Sequence, residues 1–143
     1  MTHVMRWLGA ARRAHEVAVR YAAGREAFGT RIADLGMAQQ MIADNEIDLE
    51  ATRALLLRAC AALDAGDRAS DETSIAKTFA AEALCRVADR SIQLCGGDGV
   101  SEDLPVGWIA REIRPFRIYD GPSEVHRWSI AKRTVRRIAG GDR

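Results

Sequence analysis

A chain of 143 residues is the length of one ordinary domain and long enough to bury a core. Its 48% hydrophobic and 29% charged content excludes a disordered chain, and a formal net charge of +1 gives no global pull toward nucleic acid or an anionic membrane. Cys60, Cys85 and Cys95 lack CxxC or Cys/His ligand spacing and read as buried thiols of a reducing compartment.

In chain order, the first expected element is a helix from Val4 to about Ala23, ending near Gly24. It is rich in Ala, Leu, Arg and Glu, the residues that lose least in a helix. Met1 to Arg6 already reads as its first turn, with no lead-in, so the chain is expected to be cut from something longer. A loop with Phe28-Gly29 and Gly36 follows. Next, Ala38, Met41, Asn45, Leu49, Thr52, Leu56, Cys60 and Leu63 recur at spacings of three and four, which predicts a helix of about 28 residues and ~42 Å. Asp64-Ala65-Gly66-Asp67 stops it. A third helix, capped by Ser70 or Asp71, should run to about Cys95 with Ala80, Leu84, Val87, Ser91 and Leu94 inside. Gly96-Gly97-Asp98-Gly99 breaks it. Residues 104–112 suit a short helix, and the last helix should run from Pro122 to about Ala139.

No strand-like alternation is read, nor any apolar run near the ~20 residues that span a bilayer. With no signal-peptide pattern, a cytoplasmic location is expected. The expected architecture is all-α: one domain over 1–143, an antiparallel up-and-down four-helix bundle with an irregular loop and short-helix excursion at about 96–121.

Three segments carry candidate chemistry. Asp120, before Gly121 and Pro122, stands at the mouth of the last helix, where exposed N–H groups favour negative charge. Glu124 lies one turn on, and two such carboxylates can divide acid and base roles. Residue types alone leave a second reading, in which Asp120 caps the helix and Glu124 serves its dipole. Gln93 to Gly99 is a glycine cluster at a helix end, without the strand-before, helix-after context of a dinucleotide fingerprint. Arg20 to Gly29 offers guanidinium groups, of Arg25 among others, and the aromatic ring of Phe28. The basic run Lys132, Arg133, Arg136 and Arg137 reads as a solvated helix end, and His15 and His126 as helix residues without metal-ligand partners.

Together these segments resemble, in order and spacing, the C-terminal α-helical domain of the acyl-CoA dehydrogenase family. The resemblance rests on Arg20-Tyr21-Ala22 to Arg25-xx-Phe28-Gly29, Ile42-Ala43-Asp44, Ala76-Lys77, Gln93 to Val100 and Tyr119-Asp120-Gly121. It is nearest to the branch whose last motif reads Asp-Gly-Pro-x-Glu-Val-His, here Asp120 to His126. The resemblance implies a FAD-dependent enzyme that desaturates an acyl-CoA between its α and β carbons and passes electrons to an electron-transfer flavoprotein. It implies Asp120 as the base, Gly121 along the thioester, and Pro122, Ser123 and Glu124 bordering the flavin. Arg25 and Phe28 would reach the FAD of a neighbouring subunit of a homo-oligomer, with Gln93 and Gly97 beside its adenosine end.

Asp120 stands where most members carry Glu and is shorter by one C–C bond, about 1.5 Å. The family's nitroalkane oxidases also use Asp there, which keeps an oxidase or monooxygenase reading open beside a non-catalytic oligomerisation module. The family's N-terminal helical and middle β-domains, which supply much of the pocket, have no counterpart in these residues.

Overall fold

Alanine-rich stretches bounded by glycine stops become the long helices of the computed structural model, which describes residues 1–140. Helix α1 spans Thr2–Gly24, α2 Gly36–Asp64 and α3 Ser70–Cys95. A single turn, α4 (Gly97–Val100), leads to α5 (Pro105–Ile113), and α6 spans Ser123–Ala139. The all-α expectation is met. Two features differ from it locally. Glu26–Ala27 (β1) and Thr30–Arg31 (β2) pair as an antiparallel hairpin where no strand was read, because two-residue strands are too short to show alternation. Pro122, with φ −56° and ψ 153°, sits just before the last helix rather than inside it.

Cross-helix pairs give the directions. Arg12 meets Glu50 (2.9 Å) and His15 meets Glu46 (3.1 Å), so α2 retreats as α1 advances. Arg58–Glu72 (3.4 Å) and Arg86–Asp48 (2.7 Å) set α3 against α2 in the same way. Arg133 with Asp71, and Arg127 with Glu82 (3.6 Å), make α6 antiparallel to α3. The basic run of α6 is therefore not merely solvated, since Arg133 ties α6 to the start of α3, donating also to the Ser70 carbonyl (3.0 Å). Helices α1, α2 and α3 share the core, while α6 is layered mainly on α3 and α5 lies against α3 and α1. Only Ser123 of α6 is fully buried, so the four helices do not contribute equally.

The α1/α3 seam is built of small residues. Ala11, Ala14, Ala18 and Ala22 of α1, with Ala76, Ala80, Ala81, Ala83 and Ala88 of α3, are all buried. Larger side chains, Trp7, Leu49, Leu56, Leu84, Val87, Ile113 and Phe116, fill the space at its sides. Of the expected α2 stripe, Leu63 is exposed, while Asp48 is buried. Asp48 lies beneath Arg86 and Arg90 of α3, and Asn45 accepts a hydrogen bond from Arg90 (3.2 Å) and donates to His15 Nδ1 (3.2 Å).

The glycine cluster does more than stop α3. Gly96 takes the left-handed φ of 57° that ends the helix, and α4 then folds back at once. A Cβ on Gly99 would stand 2.5 Å from the Ile92 carbonyl, and one on Gly107 2.8 Å from the Gly99 carbonyl. Both glycines are there for close backbone approach.

Cys95, fully buried under this turn, has its thiol pKa pushed up to about 11 by burial, with the nearby Asp98 adding to the rise. The unfolded thiol ionises near 9.0, so between these values the unfolded state binds fewer protons and stability falls as pH rises. Below pH 9 this contribution is fully present. We expect the denaturant midpoint to decline from pH 9 to 11 and Cys95→Ala to flatten part of the decline; an unchanged slope in the variant would refute the assignment.

Candidate active site

The turn that carries Asp120 is fastened to α3 on both shoulders. On the approach, Arg114–Arg117 forms one 3-10 turn, and Arg117 pairs with Glu82 of α3 at 2.8 Å. On the far side Arg127 of α6 reaches the same carboxylate. Burial would raise the Glu82 pKa, but the Ser123 hydroxyl and the Arg117 and Arg127 guanidinium groups outweigh it and hold the carboxyl below its usual range. Five residues earlier on α3, Lys77 is buried and donates from Nζ to the Phe116 carbonyl (2.9 Å) and the Gly121 carbonyl (2.6 Å). Its ammonium also lies 5.1 Å from the Phe116 ring centroid, within cation–π range. Burial pushes the Lys77 pKa down, and the negative charges of Asp120, Glu124 and Glu82 partly oppose it.

Held this way, the chain passes through two consecutive left-handed residues, Asp120 at φ 55° and Gly121 at φ 86°. Aspartate is among the few non-glycine residues that tolerate this region. His126 of α6 locks the conformation, donating from Nε2 to the Asp120 carbonyl at 3.0 Å. A Cβ on Gly121 would come within 2.8 Å of that ring nitrogen. The Asp120 carboxylate does not cap α6, which has no side-chain cap. It points the other way and meets His3 Nδ1 of α1 at 2.5 Å. His3, Lys77, Phe116, Asp120 and His126 border a recess of about 150 Å³.

The Asp120 side chain is 56% exposed. A carboxylate that removes a weakly acidic C–H proton has to be desolvated, which this surface by itself does not provide. Gly121 and Pro122 are half-buried on the same turn and Glu124 is exposed beside it. Ser123 is buried, with its hydroxyl turned into the protein near Glu82 but in no well-formed hydrogen bond, so its backbone is what can face a ligand.

The second group of expected residues assembles at the opposite end of α1. Arg25, Gln93 and Gly97, distant in sequence, line one recess of about 260 Å³ with Tyr21 and Ile32. Phe28 stands at the tip of the hairpin, 92% exposed and held at φ 56°. Gly96 and Gly97 leave open space where a Cβ would be. An arginine, bare glycine backbone and an unburied ring fit one face of a nucleotide-containing cofactor. The recess is smaller than the roughly 300–1,000 Å³ of sites that enclose a ligand, so it offers one wall. Since α1 has 23 residues, the Arg25 recess and the Asp120 turn are separated by roughly 30 Å of helix.

A larger groove of about 440 Å³ lies between α3 and α5, beside Cys85 and Arg114. It contains none of the expected site residues. What the sequence reading missed is His3, Lys77 as a turn anchor, and Glu82. The first two were visible only as a helix-start residue and as part of an Ala-Lys pair.

The fold and its two recesses define a helical domain that presents an exposed carboxylate at one end of its first helix and an open, arginine-lined recess at the other, without enclosing either. The chain belongs to the acyl-CoA dehydrogenase family, matching the model for the C-terminal domain of acyl-CoA dehydrogenase over residues 1–135. It is 39% identical over 132 residues to acyl-CoA dehydrogenase family member 11 of Rattus norvegicus, covering 91% of this chain and 17% of that protein. It is 40% identical over 128 residues to (R)-benzylsuccinyl-CoA dehydrogenase of Thauera aromatica, covering 89% and 32%. Among solved structures, the FAD complex of PigA superposes with a TM-score of 0.87 at 27% identity, covering 92% of this chain and 34% of that one. The chain thus spans between 17% and 34% of each of these proteins. Among the described residues, no helix is long and apolar enough to cross a membrane.

Proposed function

We propose that this chain supplies the base-bearing domain of a FAD-dependent enzyme that desaturates an acyl-CoA between its α and β carbons. The observation that carries the reading is the Asp120 carboxylate, presented on a strained turn that Lys77, Glu82 and His126 hold in place. The related dehydrogenases named above act on CoA thioesters, which supports the substrate class.

In this reading Asp120 takes the α-proton, and the backbone of Gly121 runs along the thioester. FAD, when bound, accepts the β-hydrogen as hydride. Pro122, Ser123 and Glu124 border the flavin through backbone and, for Glu124, charge. Arg25, Phe28, Gln93 and Gly97 form a wall for the cofactor of a neighbouring copy, because ~30 Å of α1 separates them from Asp120. An apolar face on α6, with Val125, Trp128, Val135 and Ile138 all more than half exposed, gives the copies a surface to share. The acceptor implied by the resemblance is an electron-transfer flavoprotein.

The test is anaerobic mixing of the assembled flavoenzyme with a panel of acyl-CoA thioesters. Bleaching of the flavin, reversed by electron-transfer flavoprotein faster than by oxygen, is the expected result. Fast reoxidation by oxygen would favour the oxidase reading, to which the aspartate at 120 gives some weight. No bleaching by any thioester would leave the non-catalytic assembly module.

A further inference from the structure

Asp120 sits on a turn fixed through its backbone, but its carboxylate is a different matter. Lys77 bonds the carbonyls of Phe116 and Gly121, and His126 bonds the Asp120 carbonyl, so all three hold main chain. Among the described residues, the side-chain contact made to the carboxylate itself is that of His3, from Nδ1 to Oδ2 at 2.5 Å. The ring of His3 is in turn set edge-on to Tyr119, with centroids 5.3 Å apart and planes at 64°. Tyr119 is fixed by the Trp7 indole N–H, which donates to its hydroxyl. A chain of contacts therefore runs from the buried Trp7 of α1 through Tyr119 to His3, and ends on one oxygen of Asp120.

A half-exposed aspartate otherwise has two free side-chain torsions, and each moves its oxygens by more than the tolerance of proton transfer. With Oδ2 engaged by His3, Oδ1 is left for a substrate. We propose that His3 is a positioning residue that aims the Asp120 carboxylate, an inference that rests on the reading of Asp120 as the base. The polar contact made by Nδ1 is what matters, not the ring as such. His3 and Asp120 are 46% and 56% exposed, so their contact contributes little to folding and acts on orientation instead.

The assembled flavoenzyme tests this with His3→Leu and His3→Asn, the latter placing an amide N–H near the position of Nδ1. His3→Leu is expected to slow flavin reduction by about ten- to a hundredfold, with flavin content, thermal midpoint and substrate KM unchanged. It should also enlarge the isotope effect of α-deuterated substrate, as proton transfer comes to limit the step. His3→Asn is expected to recover most of the rate. A merely structural role would lower the thermal midpoint and leave the isotope effect alone; that pattern, or an unchanged rate in His3→Leu, overturns the proposal. Asp120→Asn, run beside them, separates the two levels: if it retains bleaching, the base assignment fails, and if it loses bleaching while His3→Leu does not, only the role of His3 fails.

Discussion

In the assembled flavoenzyme, Asp120→Asn is expected to cut flavin reduction by an acyl-CoA at least about a thousandfold, within the 10² to 10⁴ range of general base catalysis. The substitution is isosteric, and its amide still meets His3. The turn should therefore survive, because what holds it is main chain: Lys77 on the Gly121 carbonyl and His126 on the Asp120 carbonyl. Flavin content should be unchanged, since no expected cofactor contact is lost. Stopped-flow absorbance under argon measures both quantities in one sample. Full-rate bleaching in this variant would place the base on another residue. Asp120→Glu is informative in the other direction. Its extra C–C bond, about 1.5 Å, pushes the carboxylate past the position that His3 engages, so the residue that most of the family carries should work poorly here.

The second large effect is on stability. Asp48 is buried at the α2/α3 interface and takes three hydrogen bonds, from Arg86 Nε (3.2 Å) and Nη2 (2.7 Å) and Arg90 Nη1 (2.9 Å). Its hydrogen bond is also the main cause of the raised Arg86 pKa. Asp48→Ala leaves two guanidinium groups facing each other with only Asp44, 3.9 Å from Arg90, as a close counter-charge, and Arg90 is mostly covered. The expected loss is about 3 kcal/mol, at the low end for a broken buried pair because Arg86 is half in water. Urea unfolding reads it directly. Replacing Arg90 by leucine in the same chain should return part of the loss, since an unpaired buried charge costs more than an apolar replacement. A loss below about 1 kcal/mol would show instead that the cluster behaves as a surface pair.

The parts of the fold that repeat were legible. Ala80, Leu84, Val87, Ser91 and Leu94 recur at helical spacing and all are buried in α3. Gly96 ends that helix as its flexibility suggests. What periodicity could not show were contacts between elements. Asp48 falls beside the apolar stripe of α2, and only the fold brings Arg86 and Arg90 of α3 to it. Gly99 stands in a stop signal and Gly107 inside a short helix, yet both are demanded by backbone atoms within 3 Å of where a Cβ would be. The candidate site divides similarly. Asp120 was marked by its turn chemistry and by resemblance, whereas residue types marked the segments of Arg25, Gln93 and Gly97 only weakly and resemblance gave them their roles. His3, 117 positions before Asp120, carried no local signal at all. Its role appears only once α1 lies beside the turn.

The alanine seam between α1 and α3 has a consequence for how sequences of this kind can drift. Alanine can be exchanged only for glycine or for something bulkier, and no rotamer change absorbs added bulk at a fully covered position. A bulkier residue at Ala11 or Ala80, which pack in one cluster, would act as a wedge, prising α1 off α3. His3 rides on α1, while the Asp120 turn is fastened to α3, so the wedge opens where the two meet. Variation deep in the bundle, far from any ligand, is thereby converted into a change of aim at a single carboxylate.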